Sequence, residues 1–206
     1  MLELVANVHD FFDRLDGSGV EIDNEFSLQH ELGCSLRTVI PSATCRVQFE
    51  RPTDFFGIRS DQLLKKEIDI AIFGPDQADK TAIELKFPRT GQYPEQVFSA
   101  SKDVAFHEQF AERGFDCGIF VMAADGRLFC QGFDTGGVYS YFRSGKPICR
   151  LIRKPTGTKD ESFALRGSYI LACHTVPDLE LRYDCISVVP ETATIAATAE
   201  RLDLDA

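Results

Sequence analysis

Apolar positions at helical spacing open the chain. Leu4, Val5, Val8, Phe11, Phe12 and Leu15 recur every three or four residues, and "DGSG" at 16–19 ends the run. A second helix is predicted after Asp23 and Asn24, both good N-cap residues; it sets Leu28, Leu32, Leu36 and Val39 along one stripe and stops at Pro41. Glu31 borders that stripe. The period then changes from helical to two. "CRVQFER" (45–51), "EIDIAIF" (67–73) and "TAIELKF" (81–87) read as strands, and "GPDQADK" between the last two is turn chemistry that pairs them as a hairpin. In the middle strand Ile68, Ile70 and Ile72 take one face and Glu67, Asp69 and Ala71 the other; in the next, Ile83, Leu85 and Phe87 alternate with Glu84 and Lys86. The charged positions of both strands therefore share a face.

Pro94 and Glu95 open a further helix, expected to run to Gly114, and "FDCGIFVMAAD" (115–125) is the next strand. Helix, three strands, helix and strand make a mixed α/β core over about 24–125, with helices on both faces of the sheet. Beyond Gly126 the pattern weakens. An aromatic stretch, "GGVYSYFR", is followed by expected strands within "SFALRGSYILAC" and "LELRYDCISVV", a C-terminal elaboration over about 126–190. Residues 191–206, Ala/Thr-rich and acidic at the end, read as a short helix or frayed tail.

Composition narrows the function classes. With 206 residues, 44% of them hydrophobic, the chain suffices for one sizeable core, and a single domain with a tail is expected. No run reaches the ~18–20 apolar residues of a membrane span, and the acidic N-terminal stretch is unlike a signal peptide, so no membrane partner and a cytoplasmic location are expected. Seven cysteines without a C-x-x-C pair argue against a disulfide framework or a zinc site. The net charge of −10 weakens any general attraction to nucleic acid. One segment departs from that average: residues 143–159 carry six basic side chains, Arg143, Lys146, Arg150, Arg153, Lys154 and Lys159, and no acid. They form either a solvated hairpin or a set of phosphate contacts.

The chemistry converges on the hairpin. Asp69 and Glu84 stand on adjacent strands and Lys86 lies two residues beyond on the same face. Carboxylates meeting at one edge make a hard-oxygen site for Mg²⁺ or Mn²⁺, and a neighbouring lysine is placed to orient a water or to offset charge on a phosphate. No histidine pair has ligand spacing, so His30 and His107 are assigned no ligand role, and Cys34 reads as helix packing.

These residues resemble the motif of the PD-(D/E)xK nuclease superfamily, the restriction-endonuclease-like fold. "EIDIAIF", 14 residues after Asp69, and "AIELKF" match its acid on one strand and (D/E)-x-K on the next. The resemblance implies that Asp69 and Glu84 bind metal, that Lys86 assists catalysis, and that Glu31 is similar to an additional helix glutamate found in many members. It also implies hydrolysis of nucleic-acid phosphodiester bonds, with DNA the favoured substrate, a 5′-phosphate left behind, and a homodimer compatible with double-strand cutting. Ile68 replaces the proline of the family's name, and Ala100 stands where a RecB-like "QxxxY" pattern has tyrosine. Lys102 and Asp103 are the other polar candidates on that helix; Lys102 joins Arg143, Lys146, Arg150, Arg153 and Lys154 as candidate nucleic-acid contacts. The competing expectation is an inactive nuclease-like fold that binds or regulates. The plainest alternative is a cross-strand ion pair contributing well under ~1 kcal/mol. Ala71 and Ala82 on the charged face argue for close packing above it, where unpaired acids are costly.

Overall fold

The computed structural model describes residues 2–15, 17–88, 93–124, 133, 136–155, 160–176 and 181–190. Helix α1 (Leu2–Leu15) is followed by α2 (Glu25–Val39), β1 (Arg46–Pro52), β2 (Glu67–Phe73), β3 (Thr81–Lys86), α3 (Tyr93–Ala111) and β4 (Cys117–Ala124). The short helix α4 (Tyr139–Arg143) precedes β5 (Ile148–Arg153), β6 (Ser162–Tyr169), β7 (His174–Thr175) and β8 (Arg182–Val188). Six strands form one sheet in the order β1-β2-β3-β4-β8-β7, and β5-β6 is a separate hairpin. Among the described residues β3 and β4 run parallel within the six-stranded sheet, and its other pairs are antiparallel. The element order expected between residues 24 and 125 is therefore the observed one, in a mixed α/β sheet. Among the described residues no helix is long and apolar enough to cross a membrane.

Local chemistry accounts for the element ends. Asn24 caps α2: its side chain accepts from the Ser27 amide at 2.9 Å, while Ser27 Oγ accepts from the Asn24 amide at 3.0 Å, a reciprocal box that fixes the helix start. Gly33 lets α2 lie on β1, because a Cβ there would fall 2.0 Å from Phe49 Cε1. All eight residues of β4 are buried, as a strand with a parallel neighbour and helices on its faces requires.

One core lies between the sheet and α1/α2, joining Phe12, Leu28, Leu32 and Leu36 to Ile70, Ile83, Leu85 and Ile119. Phe12 stacks on Tyr183, with ring centroids 3.9 Å apart. On the opposite side Ala71 and Ala82 belong to a cluster with Phe106 and Phe110 of α3, so the small residues do lie under a packed helix. Ile68, expected with Ile70 and Ile72, joins this second cluster instead. The β5-β6 hairpin is fastened to α3 by Glu108, whose carboxylate accepts from the Arg166 and Gly167 amides and from Tyr169 Oη. Among the described residues Cys34, Cys45, Cys117, Cys149 and Cys185 are free thiols. Cys173 is disulfide-bonded, which corrects the expectation that the cysteines form no disulfide.

Candidate functional site

The hairpin register builds the site. Ile70 pairs with Ile83, and continuing that register sets Asp69 across from Glu84. The strands separate there, and side chains take over the main-chain bonding. Asp69 Oδ2 accepts from the Leu85 amide at 2.7 Å, and Glu84 Oε1 lies 3.4 Å from the Asp69 amide. Both carboxylates face α3, which contributes Asp103. Glu84 is fully buried and Asp103 is 3% exposed. Lys86 Nζ lies 3.4 Å from Asp103 Oδ2 and 3.3 Å from Glu25 Oε1, while Glu25 Oε2 accepts from the Phe87 amide at 3.2 Å. The first turn of α2 thus closes over the end of β3. Gln29, one turn further along, donates to the Asp69 carbonyl at 2.7 Å and to Glu50, steadying the metal-binding candidate through its main chain.

A second lysine occupies the middle of the cluster. Lys65, in the segment leading into β2, donates to Glu84 Oε2 and lies 3.3 Å from Asp103 Oδ1 and 4.0 Å from Asp69 Oδ1. The Phe106 ring lies on another side, 5.9 Å away. Burial opposes the charge on Lys65, but Glu84, Asp103 and Asp69 outweigh it and hold Lys65 above its ordinary pKa. Burial also raises Asp69, to about 6, against the pull of Lys65 and the Leu85 amide. Glu84 is raised by burial and then by the Asp69 charge, and Asp103 by burial against Lys86 and Lys65. Glu84 and Asp103 are buried and Asp69 is half-buried, and it is burial first that raises the pKa of all three. Four carboxylates, counting Glu25, against two ammonium groups leave two formal negative charges.

Of the four residues expected to carry chemistry, the fold brings together Asp69, Glu84 and Lys86. Glu31 is not with them. It lies six residues beyond Glu25, hence about 9 Å along α2 and roughly a third of a turn away from that residue's direction. Its carboxylate meets His30 Nδ1 at 2.9 Å and borders a groove with Phe11, Arg14 and Leu15 of α1. The α2 glutamate that reaches the hairpin is Glu25, through Lys86 and the Phe87 amide. Sequence reasoning missed Glu25 and Lys65 and ranked Asp103 below the others. The first-turn position of Glu25 after the capping box was an available signal; Lys65, in an irregular segment, had only its i,i+4 spacing to Asp69.

The basic stretch divides. Arg153 is exposed and Lys154 half-buried at the turn end of the hairpin, where the Lys154 amide donates to the Glu161 carbonyl at 2.9 Å and Glu161 pairs with Lys102 at 2.7 Å. Lys102 precedes Asp103 on α3, and its side chain reaches the hairpin where that of Asp103 reaches Lys65 and Lys86. Lys146 and Arg150 are exposed toward the other end of β5, whose length is about 17 Å. Arg143 is engaged internally: its guanidinium lies 4.3 Å from the Tyr139 ring and donates to the Phe133 carbonyl. Lys159 and the tail at 191–206 lie outside the described residues.

All donors in the cluster are oxygens, the set that suits Mg²⁺ or Mn²⁺. Asp103 Oδ2 is buried without a directed hydrogen bond, although within ion-pair distance of Lys86. Among the described residues no group of three or more Asp, Glu, His or Cys side chains is already arranged to hold a metal ion. Comparison with protein-family models, curated proteins and solved structures finds no match.

Proposed function

We propose that this protein is a Mg²⁺- or Mn²⁺-dependent nuclease that hydrolyses phosphodiester bonds, with DNA the favoured substrate, on a restriction-endonuclease-like core. The observation that carries the reading is the convergence of Asp69, Glu84 and Asp103 around Lys65, with Lys86 3.4 Å from Asp103, at one end of the β2-β3 hairpin under α3. Asp69, Glu84 and Asp103 are the residues that would hold the ion. When bound, it would neutralise charge on the scissile phosphate and lower the pKa of a water. Lys86, held between Asp103 and Glu25, would orient the attacking water and stabilise the pentacoordinate phosphate. Glu25 acts on the lysine and not on the substrate. Arg153 and Lys154, on the β5-β6 hairpin, would supply the sequence-independent phosphate attraction that an acidic body otherwise lacks.

The test incubates the purified chain with supercoiled plasmid and, separately, RNA, in Mg²⁺, Mn²⁺ or chelator, beside Asp69→Ala and Lys86→Ala. Metal-dependent cleavage abolished by both substitutions is expected. Equal residual cleavage in the variants would mean contamination and refute the assignment. A second reading, a nuclease-like module that binds nucleic acid without cutting it, draws on the Lys65 ammonium already seated among the carboxylates. Metal-independent binding without cleavage would select it.

A further inference from the structure

We propose that Lys65 is an internal competitor of the divalent cation: its ammonium balances the acidic cluster in the metal-free protein and is displaced when the cation binds. The proposal rests on the metal-dependent reading above and adds to it the residue that sets the affinity. Lys65 Nζ is in contact with Glu84 and within 4.0 Å of both Asp69 and Asp103. A cation shared by those three side chains needs the same space, and two positive centres cannot both occupy it. Each carboxylate has a separate anchor that survives departure of the lysine: the Leu85 amide holds Asp69, Lys86 faces Asp103, and the Asp69 amide lies against Glu84.

Lys65 is built to leave. It is joined to the cluster by a flexible four-carbon stem, its side chain is 26% exposed, and it sits outside regular structure, between a 3-10 turn at Ser60–Gln62 and the start of β2. The proposed displacement is a rotation of that side chain alone. Lys86 is held differently, since Glu25 reaches it from α2 and also accepts from the Phe87 amide. Displacement of Lys65 therefore leaves the proposed catalytic lysine in position. The apparent metal affinity is reduced by whatever fraction of the protein has Lys65 seated, in the manner of any competing ligand.

Titration calorimetry of Mn²⁺ into the full chain, wild type beside Lys65→Met and Lys65→Gln, tests this, with thermal unfolding of each at matched ionic strength. Both variants are expected to bind Mn²⁺ at least tenfold more tightly than wild type, and Mn²⁺ is expected to raise their Tm by more. A variant that folds only when Mn²⁺ is added, and not with an equal ionic strength of sodium chloride, gives the same support. Adding Glu84→Gln to either variant should remove the gain. Equal Mn²⁺ affinity in all three proteins would overturn the competition while leaving the metal-dependent reading intact. Absence of Mn²⁺ binding in all three would remove that reading, and the competition with it.

Discussion

His107 offers a direct measure of how the core beneath the acidic cluster behaves. The imidazole is fully buried on α3, packed against Gly118 of β4, where an added Cβ would fall 2.4 Å from Nδ1. Neither ring nitrogen has a well-formed hydrogen bond. Burial first, and then the Lys65 charge, lower its pKa to about 3 from an ordinary 6.5. The folded protein keeps His107 neutral while the unfolded chain protonates it, so the unfolded state gains protons as the pH falls. The stability contributed by neutral His107 is complete above pH 6.5 and is lost progressively between pH 6.5 and 3. From pH 7.5 to 5 the loss is about 2 kcal/mol, set almost wholly by the unfolded-state pKa. With a urea m-value of ~2 kcal/mol/M that is a midpoint shift of ~1 M. Asp69, raised to about 6, acts with the opposite sign, since the folded state binds its proton first and gains stability as the pH falls. The quantity to measure is therefore a difference. Urea denaturation of wild type, His107→Leu and His107→Gln at the two pH values should show the variants losing about 2 kcal/mol less. Equal losses in all three proteins would refute the neutral, buried assignment.

Other outcomes follow from the same contacts. Gly118→Ala should destabilise the fold by about 1–3 kcal/mol through overpacking against His107, read as a lowered urea midpoint. Asn24→Ala should cost ~1 kcal/mol by removing the α2 cap. Under the nuclease reading, Glu25→Ala should slow cleavage about tenfold to a hundredfold by loosening Lys86, whereas Glu31→Ala should leave the rate unchanged; the reverse ranking in a single-turnover assay would return the role to Glu31. Replacing Arg153 and Lys154 together by Ala should weaken DNA binding equally across sequences and make the log–log salt dependence shallower by about 2, an effect that Arg143→Ala should not reproduce.

The helices and strands from α1 to β4 and the central pair of carboxylates were legible from local pattern, whereas the helix at Tyr139–Arg143 and the short β7 were not. Alternating residues place Asp69 on the opposite side of a strand from Ile70, and turn chemistry between 74 and 80 brings Glu84 alongside, because a hairpin is a short-range object. The buried run at 117–124 and the cap at Asn24 are local in the same sense. Which helix residue reaches the end of β3 is not. Periodicity shows that Glu31 borders an apolar stripe, but Glu25 and Glu31 are separated by more than a turn, and only the docking of α2 across the sheet decides that Glu25 meets Lys86 while Glu31 turns to α1. Lys65 was hidden for the same reason. An irregular segment has no period from which to infer direction, so its ammonium could be located among three carboxylates only when the sheet, α3 and the approach to β2 were assembled together. The chain's own pattern determined the strands and helices and the charges they carry; long-range packing decided which charges must neutralise one another, since burial makes that pairing obligatory only after the elements have closed.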